Sequence, residues 1–322
     1  MSQVTPSKIG LALGDALSRS ASVQRLNIIG MKRINRYQSL QNFGFTKRQT
    51  NVLEPYTHGA PGGVLSLKAG DDTEWFAFSQ SVLRSGGDFS KAWSDLSGQR
   101  DQVRGKISVL SALDNIHHGK LAPVSGHDNP HYFDNAGLVR SLAHLESAKN
   151  WPNLEETITS DVTHTNSLDG LWCSLALVKT LWEIKSGSDC RSAINLGLDM
   201  LPRDSLSFRI VSEYLRVSIE SSSVFELAIA IEFQLMDRIY SYPYGAAETL
   251  GLTYAYLAQS TAPDQTLAAT FMHSRYNDSL PAVMGFCLAE IFGGDWLMSS
   301  YRLGTQPLDG FCIPWLKGTN LE

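Results

Sequence analysis

The sequence predicts an all-α fold, on three observations. Apolar residues recur at three- and four-residue spacing along most of the chain. Strict apolar–polar alternation, the mark of a half-buried strand, is scarce. Several of the periodic runs begin just after Ser, Thr, Asp or Asn, residue types that cap helix N-termini.

Thr5-Pro6 opens the first helix, because threonine caps and proline, lacking an N–H, suits the first helical position. Gly10, Ala12, Gly14 and Ala16 follow and keep that helix slim, so a neighbour can approach its backbone. Trp75, Phe76, Phe78, Val82 and Leu83 mark a second helix after Asp72. Val103, Ile107, Leu110 and Leu113 share one face, as do Ala136, Val139, Leu142 and Leu145. Asn166 is placed to cap a long helix through Leu171, Leu175, Val178, Leu181 and Trp182. Further helices are expected over residues 206–217, 224–239, 246–257, 266–271 and 280–292. Weak strand patterns occur at 25–29 and 64–67, and loops at 44–63, 117–135 and after 301. No Ser/Pro/Gly-rich linker divides the chain and no solenoid-length repeat runs through it, so residues 1–322 read as a single domain.

Apolar residues make up 43% and charged residues 18% of the 322, a globular balance rather than a disordered one. The net charge of -5 argues against a nucleic-acid-binding protein, which would carry a basic face. No stretch is apolar for long enough to span a bilayer, and no basic segment followed by an apolar run marks a signal peptide. Cys173, Cys190, Cys287 and Cys312 form no C-x-x-C pair; their wide spacing suits reduced thiols and a cytoplasmic location.

Two helix starts gather oxygen donors: Asp71-Asp72-Thr73 before Trp75, and Asp278-Ser279 before Val283. Magnesium needs such donors, mainly carboxylates and water. Asp and Ser are also ordinary N-caps, favoured there by the helix dipole, and residue types alone leave both readings open. His127, Asp128, His131 and Asp134, with Tyr132, crowd the 117–135 loop. That set suits zinc in composition, but Pro130 and the lack of a helical pattern deny the two histidines an i, i+4 geometry. A loop that contacts substrate is the preferred reading.

Five segments, in order from roughly residue 8 to 295, resemble those of the ADP-ribosylglycohydrolases. Residues Ile9 to Leu17 resemble the family's glycine-rich opening helix, and Gly70-Asp71-Asp72-Thr73-Glu74 its T-D-D-T segment. Asp134-Asn135-Ala136-Gly137-Leu138-Val139-Arg140 resembles its G-N-G-x-x-M-R segment, and Thr163-His164-Thr165 its T-H-x segment. Tyr276 to Gly285 resembles its terminal D-x-D-T-x-x-A-x-x-G segment.

The resemblance implies a compact many-helix domain with a binuclear magnesium or manganese site, holding one or two ions in this chain, that cleaves ADP-ribose from a protein or small acceptor. It implies Asp71, Asp72, Asp278 and Ser279 as metal ligands, with Asp71 or Asp72 also taking a proton from water. It implies that Asn135, the backbone at Gly126 and His164 border the substrate. Arg140 is either a phosphate ligand or a buried ion-pair partner; Asp15 either supports the metal site or accepts backbone hydrogen bonds. The chain departs from the family at the chemistry: Gly70 stands for a metal-binding Thr, Tyr276 for a metal-binding Asp, and Ser279 for Thr. The implied function is therefore a metal-dependent hydrolase. The alternative is a catalytically silent member that binds ADP-ribose, an ADP-ribosylated target or an ADP-ribosylating toxin.

Overall fold

Helices carry the backbone hydrogen bonds throughout the computed structural model, which describes residues 4–25, 68–236, 244–273, 275–276, 278–300 and 306–321. Among them no strand forms; one isolated bridge joins Asp134 to Gly245. None of the described helices is long and apolar enough to cross a membrane.

The first helix, α1 (Pro6–Arg25), begins where Thr5-Pro6 predicts. The next, α2 (Asp71–Arg84), starts at the acidic pair and buries Trp75, Phe76, Phe78 and Val82. There follow α3 (Phe89–Ser97), α4 (Ile107–His117), α5 (Val124–His127), α6 (Ala136–Ser141), α7 (Trp151–Val162) and α8 (Asp169–Lys185). The chain continues through α9 (Cys190–Leu198), α10 (Leu206–Glu220), α11 (Val224–Gln234), α12 (Ala246–Gln259), α13 (Pro263–Thr270) and α14 (Ser279–Phe292). Both weak strand patterns fall largely or wholly outside the described residues, as does the 44–63 loop.

Close packing follows from small residues. A Cβ at Gly10 would overlap the carbonyl of Gly285, and one at Gly14 the carbonyl of Pro281. The α1 and α14 backbones therefore meet directly, which brings Asp15 and Ser279 into one region. The buried apolar side chains form one contiguous cluster.

Two sequence expectations are corrected. Asn166 does not cap α8: Leu168 takes the N-cap position. The Asn166 amide instead donates to the carbonyls of Tyr132 and Asp134, at 3.1 and 2.9 Å. Two carbonyls stranded in the 117–135 segment outcompete a cap. Val103 lies before α4 in extended backbone, and the helix begins at Ile107.

Arg140 resolves to its structural alternative. It is fully buried, its Nε donates to Asp161 Oδ1 at 3.2 Å, and its Nη2 donates to Thr165 Oγ1 at 2.7 Å. Ser79 of α2 donates to the same aspartate at 2.6 Å, Trp93 of α3 at 3.3 Å, and His144 lies 3.2 Å away. One carboxylate thus ties together α2, α3, α6 and α7.

Glu248, in the first turn of α12, is 8% exposed. Burial pushes its carboxyl up to about 7, opposed by its helix N–H and reinforced by Asp169. Between the unfolded value near 4.3 and about 7, the unfolded chain has released a proton that the folded chain retains. Stability should therefore fall as pH rises through that window. Glu248→Gln should remove this dependence and raise stability at pH 8 by about 3 kcal/mol. Urea titrations of both proteins at pH 4 and pH 8 check it; equal stability at pH 8 would refute the penalty.

Candidate functional site

Asp71 and Asp72 occupy the first turn of α2, but neither caps it, because the N-cap position belongs to Gly70. The cap comes from another helix. Asp15 Oδ2, on α1, accepts from the N–H of Gly70 at 2.7 Å and from Thr73 N–H at 2.8 Å. The Thr73 hydroxyl donates to the same oxygen at 2.5 Å. Asp15 thus satisfies donors that a helix start leaves open and draws its own carboxylate against those of α2. Carboxylate oxygens of Asp15, Asp71 and Asp72 lie within 4.8 Å of one another. Asp278 stands at the N-cap position of α14, but its side chain makes no capping bond either. The acidic helix starts are therefore not explained by capping.

Burial pushes the Asp15 carboxyl well above the usual carboxylate range, and Asp72 and Asp71 add repulsion. Burial also raises Asp72, with the nearby Lys106 ammonium offsetting part of the rise. Two buried oxygens, Asp15 Oδ1 and Asp72 Oδ2, have no hydrogen-bond partner among the described residues. Orphaned acceptors in a crowded acidic pocket fit a cation.

Beside this cluster opens a cavity of about 440 Å³, bordered by Gly70, Asp71, Glu74, Arg104, Lys106, Tyr244, Asp278 and Phe311. Its size is in the range of small-molecule sites. Arg104 lies over the Phe311 ring, 4.5 Å from its centroid. The wall carrying Phe311 is anchored from below: Glu74 accepts from the N–H groups of Phe311, Cys312 and Ile313 at 2.8, 2.7 and 3.1 Å.

Lys106 has the most constrained position. Its Nζ donates to Asp72 Oδ1 at 3.0 Å and to Ser279 Oγ at 2.7 Å; Ser279 Oγ in turn donates to Asp72 Oδ1 at 3.0 Å. Burial alone would lower the ammonium's pKa, but Asp72, Asp71, Asp278 and Asp134 outweigh it and hold the group charged. Lys106 is the N-cap residue of α4, the helix end at which the dipole disfavours a cation. Asp134 fixes that end by accepting from the Ser108 hydroxyl at 2.7 Å and its N–H at 3.3 Å.

The structure brings together Asp71, Asp72, Asp278 and Ser279, four residues read from two distant segments. Gly126, Asn135 and His164 do not line this cavity. Gly126 packs so closely on the backbone of residues 163–166 that a Cβ would overlap the Thr163 carbonyl. His164 is buried and stacks on Trp93 at 5.7 Å. Asn135 lies behind the wall, donating its N–H to the Tyr244 carbonyl at 2.7 Å and its side-chain amide to Thr249 Oγ1 at 3.0 Å. Tyr276 is a core residue at φ 59°, in the left-handed region, and does not border the cavity. Among the described residues the His127–Asp134 loop forms no metal cluster; His127 and Asp128 are exposed, and Asp128 pairs with Lys120.

Lys106, Arg104, Tyr244 and Phe311 are absent from the sequence reading. Lys106 carried one signal, a lysine directly before an apolar-periodic run, where the dipole argues for an acid or a hydroxyl. Arg104 lies inside the 103–113 run but off its apolar face, and Tyr244 and Phe311 lie in segments without periodicity.

No curated protein gives a significant match to the chain. Among solved structures, one titled "ADP-ribosylglycohydrolase-related protein complex" superposes with a TM-score of 0.55 at 15% identity, covering 94% of this chain and 99% of that one. The likeness is one of fold. The family model described as ADP-ribosylglycohydrolase matches residues 2–313, a span that contains α1, the acidic start of α2 and the start of α14. By that match, and by an all-helical fold that converges those helix starts on one acidic cavity, the chain belongs to the ADP-ribosylglycohydrolase family.

Proposed function

We propose that this chain is a divalent-metal-dependent hydrolase that releases ADP-ribose from a modified protein or small acceptor, with Mg²⁺ or Mn²⁺ as the ion. The observation that carries this reading is the Asp15–Asp71–Asp72 cluster with its two orphaned oxygens beside the cavity. Asp71 and Asp72 would hold the ion with Asp15 beside them, and Asp278 and Ser279 border the same region. A divalent ion bound there supplies Lewis acidity, fixing ribose hydroxyls and making water a better nucleophile at neutral pH.

The chain's own groups account for the rest. Asp71 is half-buried and borders the cavity, so it can take the proton from the attacking water as the glycosidic bond at the anomeric carbon breaks. Arg104 offers a positive charge to the diphosphate, and the half-exposed Phe311 ring a face to the adenine. Asn135 positions Tyr244 through the backbone bond described above, while Gly126 and His164 contribute packing. The four free cysteines suit a reducing cytoplasm. We take residues 1–322 to act as one domain.

A second reading, a silent member that binds ADP-ribose without cleaving it, draws on Lys106, which already engages two of the expected ligands. The experiment is release of ADP-ribose from arginine- and serine-ADP-ribosylated proteins, measured by chromatography with Mg²⁺, with Mn²⁺ and in chelator. Metal-dependent release is expected. Binding of free ADP-ribose without release would favour the silent reading, and neither release nor binding would overturn both.

A further inference from the structure

We propose that the Lys106 ammonium is a built-in cation of this site, holding the Asp72–Ser279 position against a divalent ion, so that the chain binds at most one metal ion. The inference rests on the acidic cluster being the metal site proposed above, but concerns the number of ions rather than turnover.

Three observations carry it. Lys106 Nζ makes close contacts to Asp72 Oδ1 and Ser279 Oγ, and both charged side chains are nearly enclosed, 10% and 3% exposed. An ammonium there and a divalent ion bound to the same two oxygens would bring like charges to within a few ångströms in a poorly solvated pocket. On the other side of Asp72 the arrangement is open: Asp72 Oδ2 and Asp15 Oδ1 are buried and have no hydrogen-bond partner among the described residues. The pocket therefore has one position already satisfied by a tethered charge and one that lacks a cation.

The remaining geometry fits the same division. A Cβ on Gly70 would lie 2.5 Å from Asp15 Oδ1, so a side chain at residue 70 fits only where that carboxylate shifts. The Gly70→Thr substitution suggested by the family pattern would thus collide with the carboxylate that caps α2. Tyr276 belongs to the apolar core and does not border the cavity. The two ligands missing relative to the family, and the lysine that approaches the ligands kept, describe one rearrangement from paired metals to one metal and one ammonium.

The test counts ions. The full chain, stripped with chelator and dialysed, is titrated with Mn²⁺ and bound metal is read by electron paramagnetic resonance. Wild type should bind no more than one Mn²⁺ per chain, Lys106→Arg should keep that number, and Lys106→Met should bind one more ion than wild type. Two ions in wild type, or equal numbers in wild type and Lys106→Met, would overturn the proposal. If Lys106→Met unfolds without metal, recovery of its circular dichroism by Mn²⁺ supports the proposal; if it stays unfolded, the wild-type count alone decides. ADP-ribose release does not enter this readout, so loss of the hydrolase reading and loss of the one-metal reading are separable.

Discussion

Arg140→Met should cost about 3–5 kcal/mol, because it leaves the Asp161 carboxylate buried and short of its counter-charge. Burial would raise the Asp161 pKa, but the Arg140 guanidinium, His144 and Ser79 hold it below the usual carboxylate range. A depressed carboxylate stabilises the fold above its unfolded value near 3.9, and that contribution disappears as pH falls through the folded value. The variant should therefore lose most at neutral pH, and its deficit should shrink on acidification. Adding Asp161→Asn should recover part of the loss, since the two residues share one network. Urea denaturation at pH 7 and pH 3 checks both statements. A loss under about 1 kcal/mol at pH 7 would place Asp161 outside the charged form inferred from its partners.

Asp71→Asn should lower ADP-ribose release by about 10²- to 10⁴-fold, the range associated with a positioned general base. Its effect on the apoprotein should be opposite in sign. Asp15, Asp71 and Asp72 repel one another, so removing one charge relieves the pair left behind. The melting temperature in chelator should stay the same or rise, while stabilisation by Mn²⁺ should shrink. Slower release with a lower melting temperature in chelator would instead mark Asp71 as a structural residue.

The parts of this protein that its sequence disclosed are those where local chemistry decides the outcome. Thr5-Pro6 started α1 as expected, and the small face of Gly10 and Gly14 marked the close crossing with α14. The helix from Trp151 to Val162 was missed, because its apolar positions are sparse, although Asn150 and Pro152 stand where a cap and an early-turn proline belong; Asn150 accepts from Asn153 N–H at 3.0 Å. Asn166 misled because its amide serves carbonyls more than thirty residues away, a competition no local pattern contains. In the site, Asp71, Asp72, Asp278 and Ser279 were legible as motif residues. Lys106 was not, because its partners lie 34 and 173 residues along the chain, joined only by folding. Arg140 read equally as a phosphate ligand or a buried ion-pair partner and proved to be the second; residue type does not reveal whether a charge faces a cavity or another charge.

A crystal structure of the full chain grown with Mn²⁺ and ADP-ribose would bear most directly on the site. Anomalous density should show one ion among Asp15, Asp71 and Asp72, with Lys106 still on Asp72 and Ser279 and the terminal ribose in the cavity bordered by Asp71, Tyr244 and Phe311. An ion bound between Asp72 and Ser279 with Lys106 displaced, or ADP-ribose bound away from this cavity, would contradict it.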